Sequence, residues 1–331
     1  MNAHRVMSLP VIVVATLSSG CAIDLDAQVA TAAGRFDRTL EVTAPVDLDV
    51  QTGSGSITIR RGNDTQVAIA GEIRAHRGFW NSRGAEERIQ ALEANPPIVQ
   101  NGNSIRLGEI TDSELRRNVS ISYMVTVPMN TRVRSRSGSG TVTIDSIRGP
   151  VEAKTGSGDV RIGKIAGSAS AETGSGSIEV LGATQGLHAR TGSGSVDARD
   201  IAGVVEAHTG SGRIRVSYSG AGDGDFSTGS GGIAVAGVNG RVRAHAGSGS
   251  VEIEGNPSGD WAVDSGSGGI TLRLPQTAAF DLNARSSSGG IHTNHPIEST
   301  GRLSRNSLQG RVRGGGPRLE LHTGSGSIRL E

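Results

Sequence analysis

The sequence predicts an all-β protein: a single-stranded parallel β-solenoid, or β-helix, of ~18-residue coils with one short helical insertion. Three observations carry this. The tetrad Thr155-Gly156-Ser157-Gly158 returns at Thr173, Thr191 and Thr209, and after one extra residue at Thr228, with first glycines at 156, 174, 192 and 210, a spacing of 18. Between tetrads the chain alternates apolar and polar residues, the period-two signature of half-buried strands. Aromatics are scarce, with 4 Phe, 2 Trp and 2 Tyr in 331 residues, so the interior is narrow and filled by Val, Ile, Leu and Ala.

One such coil cannot bury its apolar face alone. Coils stacked ~4.8 Å apart pair equivalent residues in register and share a continuous core. In the unit Val151 to Gly167, alternation turns Val151, Ala153, Val160 and Ile162 inward and Glu152, Lys154 and Arg161 outward. The expected corners are Gly156 and Gly158, Gly174 and Gly176, Gly192 and Gly194, Gly210 and Gly212, and Gly229 and Gly231. Looser copies of the tetrad add Gly138 and Gly140, Gly247 and Gly249, and Gly266 and Gly268. Isolated copies near the two ends add Gly53 and Gly55, and Gly324 and Gly326. Glycine is expected at these corners to permit tight turns and positive φ.

Taken in order, residues 1–21 have the form of an export signal: Arg5, an apolar run from Met7 to Leu17, then Ser18-Ser19-Gly20-Cys21. The end resembles a bacterial lipobox, which makes Cys21 the expected lipidation site and membrane anchor, with Ala22 after it resembling outer-membrane sorting. Residues 22–35 are small and polar, as in a tether. The solenoid domain is expected over 36–331. Strands follow through Leu40 and Val42, Leu48 and Val50, Ile57 and Ile59, and Val67 and Ile69. Residues 71–118 interrupt the pattern as an irregular insertion. Within it Ala85, Ile89 and Leu92 share one helical face, and Pro96-Pro97 ends the helix. Val119 to Val127 is a longer alternating strand stopped by Pro128. Regular coils run from 133 to about 290, and the chain closes on Leu319, Leu321, the tetrad at Thr323, Ile328 and Leu330.

Composition removes several classes. The formal charge of +1 argues against a nucleic-acid or polybasic membrane surface. Cys21 is the single cysteine, so one chain forms no disulfide and no cysteine metal site. The 50 glycines follow no G-X-Y period, which excludes collagen.

Chemical motifs are weak. Gly220-Ala221-Gly222-Asp223-Gly224-Asp225 resembles a calcium-binding turn but occurs once, and such turns work in tandem. The tetrads lack the Lys and the helix of a phosphate loop. The column Arg136, Lys154, Glu172, Arg190, His208, Ser227, His245, Asp264 is expected as an exposed mixed-charge ladder. His292 and His295 have no acidic residue beside them to complete a metal set. Glu152, Glu172, Glu179 and Glu206 fall on alternating faces or edges, with no isolated carboxylate pair and no aromatic platform for a sugar. No cofactor is expected.

The strand ending in Val127-Pro128, the V-x-A-x-T-G-S-G-x-V-x-V coils and the closing Gly314-Gly315-Gly316-Pro317 to Ile328 segment together resemble the bacterial β-strand-repeat family of "putative adhesins", a domain of unknown function. The resemblance covers roughly 36–331 and implies a secreted or membrane-attached β-solenoid, with no established catalytic residues to carry over. The expected function is a non-enzymatic cell-envelope lipoprotein, periplasmic or surface-facing. Its solenoid would be a binding or scaffold surface for an envelope protein or glycan. The alternatives are a polysaccharide-acting β-helix enzyme and an envelope stress or assembly accessory protein.

Overall fold

The computed structural model describes residues 31–43, 45–76, 83–116, 118–299 and 304–331. The expected signal 1–21, its Cys21 and residues 22–30 of the tether lie outside the described residues. Among those described, nearly all of the regular structure is strand, in one 14-stranded and one 15-stranded sheet.

Each regular coil gives one strand to each sheet. Val151–Thr155 lies in the longer sheet, the chain turns at the tetrad, and Val160–Ile165 lies in the shorter one. Pairing is parallel and follows the sequence period: Val151 stands beside Ala169 and Thr155 beside Thr173, while Val160 stands beside Ile178. The core is the space between the sheets, lined by Val151, Ala153, Val160, Ile162 and their counterparts, all buried. Each fully buried Val or Ile contributes roughly 1.5–3 kcal/mol. The inward and outward assignments made from alternation hold throughout this unit.

From 131 to 273, stacking order is chain order; at both ends it is not. Coil 46–61 lies between coil 104–127 and coil 131–145: Val46–Thr52 pairs with Ser104–Leu107 on one side and Thr131–Ser137 on the other. Its second strand, Ile57–Arg61, sits between Val119–Val127 and Val142–Asp145. The other end repeats the device. Arg318–Thr323 lies between Trp261–Ser265 and Phe280–Ser286, and Ile328–Leu330 between Ile270–Arg273 and Ile291–Thr293. Glu331 is fastened there, its N–H donating to Leu272 O and its carbonyl accepting from Leu274 N, both at 2.8 Å.

Antiparallel strands cover the ends. Thr31–Glu41 pairs with Gln66–His76, which pairs with Val119–Val127. The strand therefore begins at Thr31, and residues 31–35 belong to the domain rather than to a tether. The helix Arg83–Ala94 packs buried Ala85, Ile89 and Leu92 against the first two of these strands. Gly34 is needed beneath it, because a Cβ there would collide with Ile89 and Glu93. The insertion is shorter than 71–118: residues 71–76 continue a strand, and Ile105 is back in the stack beside Leu48. At the far end Ser307–Val312 pairs antiparallel with Phe280–Ser286.

Candidate functional site: the corner column and a trough along the sheet face

The tetrads form a column of hydroxyl-latched corners. Thr173 Oγ1 accepts from Gly176 N at 3.1 Å, closing its own corner, and donates to Gly158 O at 2.8 Å, tying that corner to the preceding coil. Thr155, Thr191, Thr209, Thr228 and Thr323 repeat this double bond, and Ser137, Ser265 and Ser286 do it with serine. Buried Ala246 occupies the same place without a hydroxyl.

The corner glycines are required for a different reason from the one expected. None of them has positive φ. A Cβ on the second glycine, as at Gly176, Gly194 or Gly212, would stand inside the carbonyl oxygen of the matching glycine one coil back. The first glycines from Gly138 to Gly324 meet the same obstacle. Close approach of stacked backbones, not left-handed conformation, excludes side chains here. Positive φ belongs elsewhere, including Gly186 and Gly203, both at 92°.

Outward side chains form the expected ladders. Lys154 stands between Arg136 and Glu172, and His208 between Arg190 and Ser227. Lys154 Nζ lies 3.3 Å from both Glu152 and Glu172 carboxylates. Its hydrogen bond to Glu152 leads in raising its pKa above the ordinary lysine value, with Glu172 adding to it. Arg136 lies 3.5 Å from Glu152 and 3.7 Å from Asp49, and Arg134 takes Asp47 in a two-pronged bond at 2.9 and 3.0 Å. These groups are partly exposed, and pairs of this kind contribute little stability each. They fix the charge pattern of the face.

Beside them, at the strand starts, a trough follows the outer face of the longer sheet. Its middle section, about 880 Å³, runs from Arg132 and Pro150 past Ser168, Ser170 and His188 to Val204 and Glu206. It continues through about 390 Å³ to Asp225, Arg243 and Glu320, and back through about 320 Å³ to Pro45 and Asp47. A small residue makes the dent: the outward position that carries Glu152 and His188 in the two adjacent coils is Ser170 in this one. Across ten strands the trough is roughly 40 Å long. His188 Nδ1 and Glu206 Oε2 meet at 2.9 Å in its floor. Their separation of 18 residues was open to the repeat reading, which missed the pair because it followed the neighbouring column.

The other sequence candidates disperse. Glu152, Glu172 and Glu206 share the longer sheet, each bonded to a cation or His188, whereas Glu179 lies on the shorter sheet. His208 and His245 are separated by Ser227, as the register required. His292 is exposed, but His295 is buried against Phe280 with ring centroids 5.6 Å apart. Asp223, from the calcium-like turn, accepts Arg241 N at 2.8 Å and so serves as a bracket between coils. Among the described residues no cluster of three His, Cys, Asp or Glu is placed to hold a metal, and no helix is long and apolar enough to cross a membrane.

Residues 170–331 match the model of the Toastrack DUF4097 family. Over those residues the chain carries a Toastrack DUF4097 domain. The matched segment begins inside a strand, and the same parallel ladder runs on without a break into residues 131–165. Three solved structures are similar to the chain, each covering 90% of it. They are a "putative adhesin" from Bacteroides fragilis (13% identity, 97% of that chain, TM-score 0.37), a "putative cell adhesion protein" from Clostridium sporogenes (11%, 99%, 0.20) and a "putative lipid binding protein" from Parabacteroides distasonis (12%, 96%, 0.40). No curated protein matches.

Proposed function

We propose that this Toastrack protein is a non-enzymatic binding or scaffold element of the cell envelope, and that the trough on its longer sheet is the working surface. The observation that supports this is the trough itself: a continuous concavity along the stack, bordered by charges of both signs. An extended partner, protein or glycan, is what such a surface accommodates. Most of its acids are occupied, Asp47 by Arg134, Glu152 by Lys154, Glu206 by His188 and Glu320 by Arg318, which leaves little for proton transfer. Export by residues 1–21 and anchoring at lipidated Cys21, with sorting to the outer membrane, complete the reading.

Two experiments test it. Cys21→Ser is expected to release the protein from membranes and to abolish labelling by a fatty-acid probe; unchanged membrane association with no label on the wild type removes the anchor. The purified chain, titrated with solubilised envelope, is expected to bind saturably. Ser170→Arg fills the dent and is expected to weaken that binding at least severalfold. A polysaccharide-acting enzyme is favoured by one observation, the His188–Glu206 pair in an open trough. Glycan turnover that vanishes in Glu206→Gln would replace the binding reading with that one.

A further inference from the structure

The corner column has an open end. Inside the column each first glycine turns its N–H toward the preceding coil, and at Ser157 and Ser248 the serine after it does the same. Gly174 N donates to Gly156 O at 2.9 Å, Ser157 N to Gly138 O at 3.2 Å and Ser248 N to Gly229 O at 3.1 Å. Coil 104–127 precedes coil 46–61 in the stack, and it has no tetrad: the chain leaves Leu107 and returns at Val119 by another route. Above Gly53 and Ser54 there is therefore no corner carbonyl, and neither N–H finds an acceptor among the described residues. A Cβ on Gly53 would meet nothing within 4 Å, whereas the first glycine of every other tetrad faces a backbone oxygen.

The space left is a cavity of about 770 Å³ lined by Gly53, Ser54, Gly108, Tyr123 and Arg136, with Ile110, Val119 and Ile121 as apolar wall. Tyr123 is 2% exposed, packs edge-on to Phe36 and leaves its hydroxyl without a partner. The hydroxyl reaches the level of Gly108, whose added Cβ would lie 3.4 Å from it. An unpartnered buried hydroxyl is costly, and this one borders the same vacancy as the two free amides.

We propose that this cavity binds a small organic acid, its carboxylate held by the Gly53 and Ser54 N–H groups and the Tyr123 hydroxyl and its apolar part by Ile110, Val119 and Ile121. In each later coil a carbonyl oxygen occupies the equivalent place, so the ligand must present oxygen acceptors. Successive backbone N–H groups form an anion-binding nest, and bonds to an ionised acceptor are the strong ones. Burial pushes the Tyr123 phenol upward, which keeps its proton available for donation. The charge balance selects a monoanion. Arg136 is already shared between Asp49 and Glu152, and exposed Glu109 stands on the same rim, so a dianionic phosphate is disfavoured.

The full chain, labelled with ¹⁵N and with ¹³C at tyrosine Cζ, is titrated with sodium hexanoate, with hexan-1-ol and inorganic phosphate as comparators. Hexanoate is expected to move the Gly53 and Ser54 amides and the Tyr123 ring saturably, with affinity about tenfold above either comparator. Gly53→Val fills the mouth and is expected to abolish the response with the melting temperature unchanged. Tyr123→Phe, which keeps the packing, should weaken binding severalfold. Signals that stay still in excess hexanoate, an equal response to phosphate, or wild-type binding by Gly53→Val would each overturn the proposal.

Discussion

The middle coils, 131–273, and the two end regions use the same tetrad and alternation, yet they assemble by different rules. In the middle each coil lies on the one before it, and a column of hydroxyl latches ties neighbours together. At the ends a coil of the same pattern is placed between two others, so that both of its faces are covered by strands distant in sequence. A repeat array needs polar or covered ends to stay soluble. Here the coils that carry the pattern are withdrawn from the ends, and irregular antiparallel strands are left outside.

The largest effect is expected from removing coil 318–331. It buries Leu319, Leu321, Ile328 and Leu330 between two coils. Their loss withdraws roughly 1.5–3 kcal/mol per side chain. Proteolysis should then digest the region from 280 onward while 131–255 survives, and a fully resistant chain would show that the insertion is not structural. Ile162→Asp in the middle places an unpaired carboxylate in the core and should cost several kcal/mol, read as a lowered urea midpoint. Its neighbour Arg161 points outward and pairs with Asp159 at 2.7 Å, so Arg161→Asp is expected to stay within about 1 kcal/mol. Equal effects at 161 and 162 would refute the in–out assignment.

Glycine at the corner sharpens the comparison. Gly174→Ala forces its methyl against Gly156 O and should cost about 1–3 kcal/mol. Gly53→Ala, the same substitution at the open end, should leave the melting temperature where it is. The smallest expected effect is a gain. Ala246→Thr adds the missing hydroxyl beneath Gly231 O, and one more latch should raise stability by about 1 kcal/mol. A drop in melting temperature would mean that the interior at 246 has no room for the larger side chain.

The middle of the molecule was legible because its physics is local. Alternation fixes which residues point inward, and the 18-residue period fixes the register that aligns Arg136, Lys154 and Glu172. The ends were not legible, because a coil's period does not name its neighbours. Leu319 to Leu330 looks the same whether it stacks last or between two others. The helix face at Ala85, Ile89 and Leu92 was visible, but its seat on strands 31–41 and 66–76 depends on an antiparallel pairing that no repeat announces. The corner glycines were recognised as corners, while their role followed from the distance between backbones, a property of the stack. The cavity beside Gly53 was invisible for a related reason: it exists because a tetrad is missing from a coil whose place in the stack the sequence did not reveal.

The displaced coils also set a timetable. Residues 46–61 emerge during synthesis well before 104–127 and 131–145, the segments that enclose them, so their edges stay open over a long interval of chain growth. At the other end the gap between 261–273 and 280–293 stays unfilled until 318–331 arrives. Such long-range pairings close slowly and leave strand edges exposed meanwhile. A chain cut short between residues 274 and 317 has a complete middle and an unclosed end, which makes the last coil a test of length that a degradative protease can read.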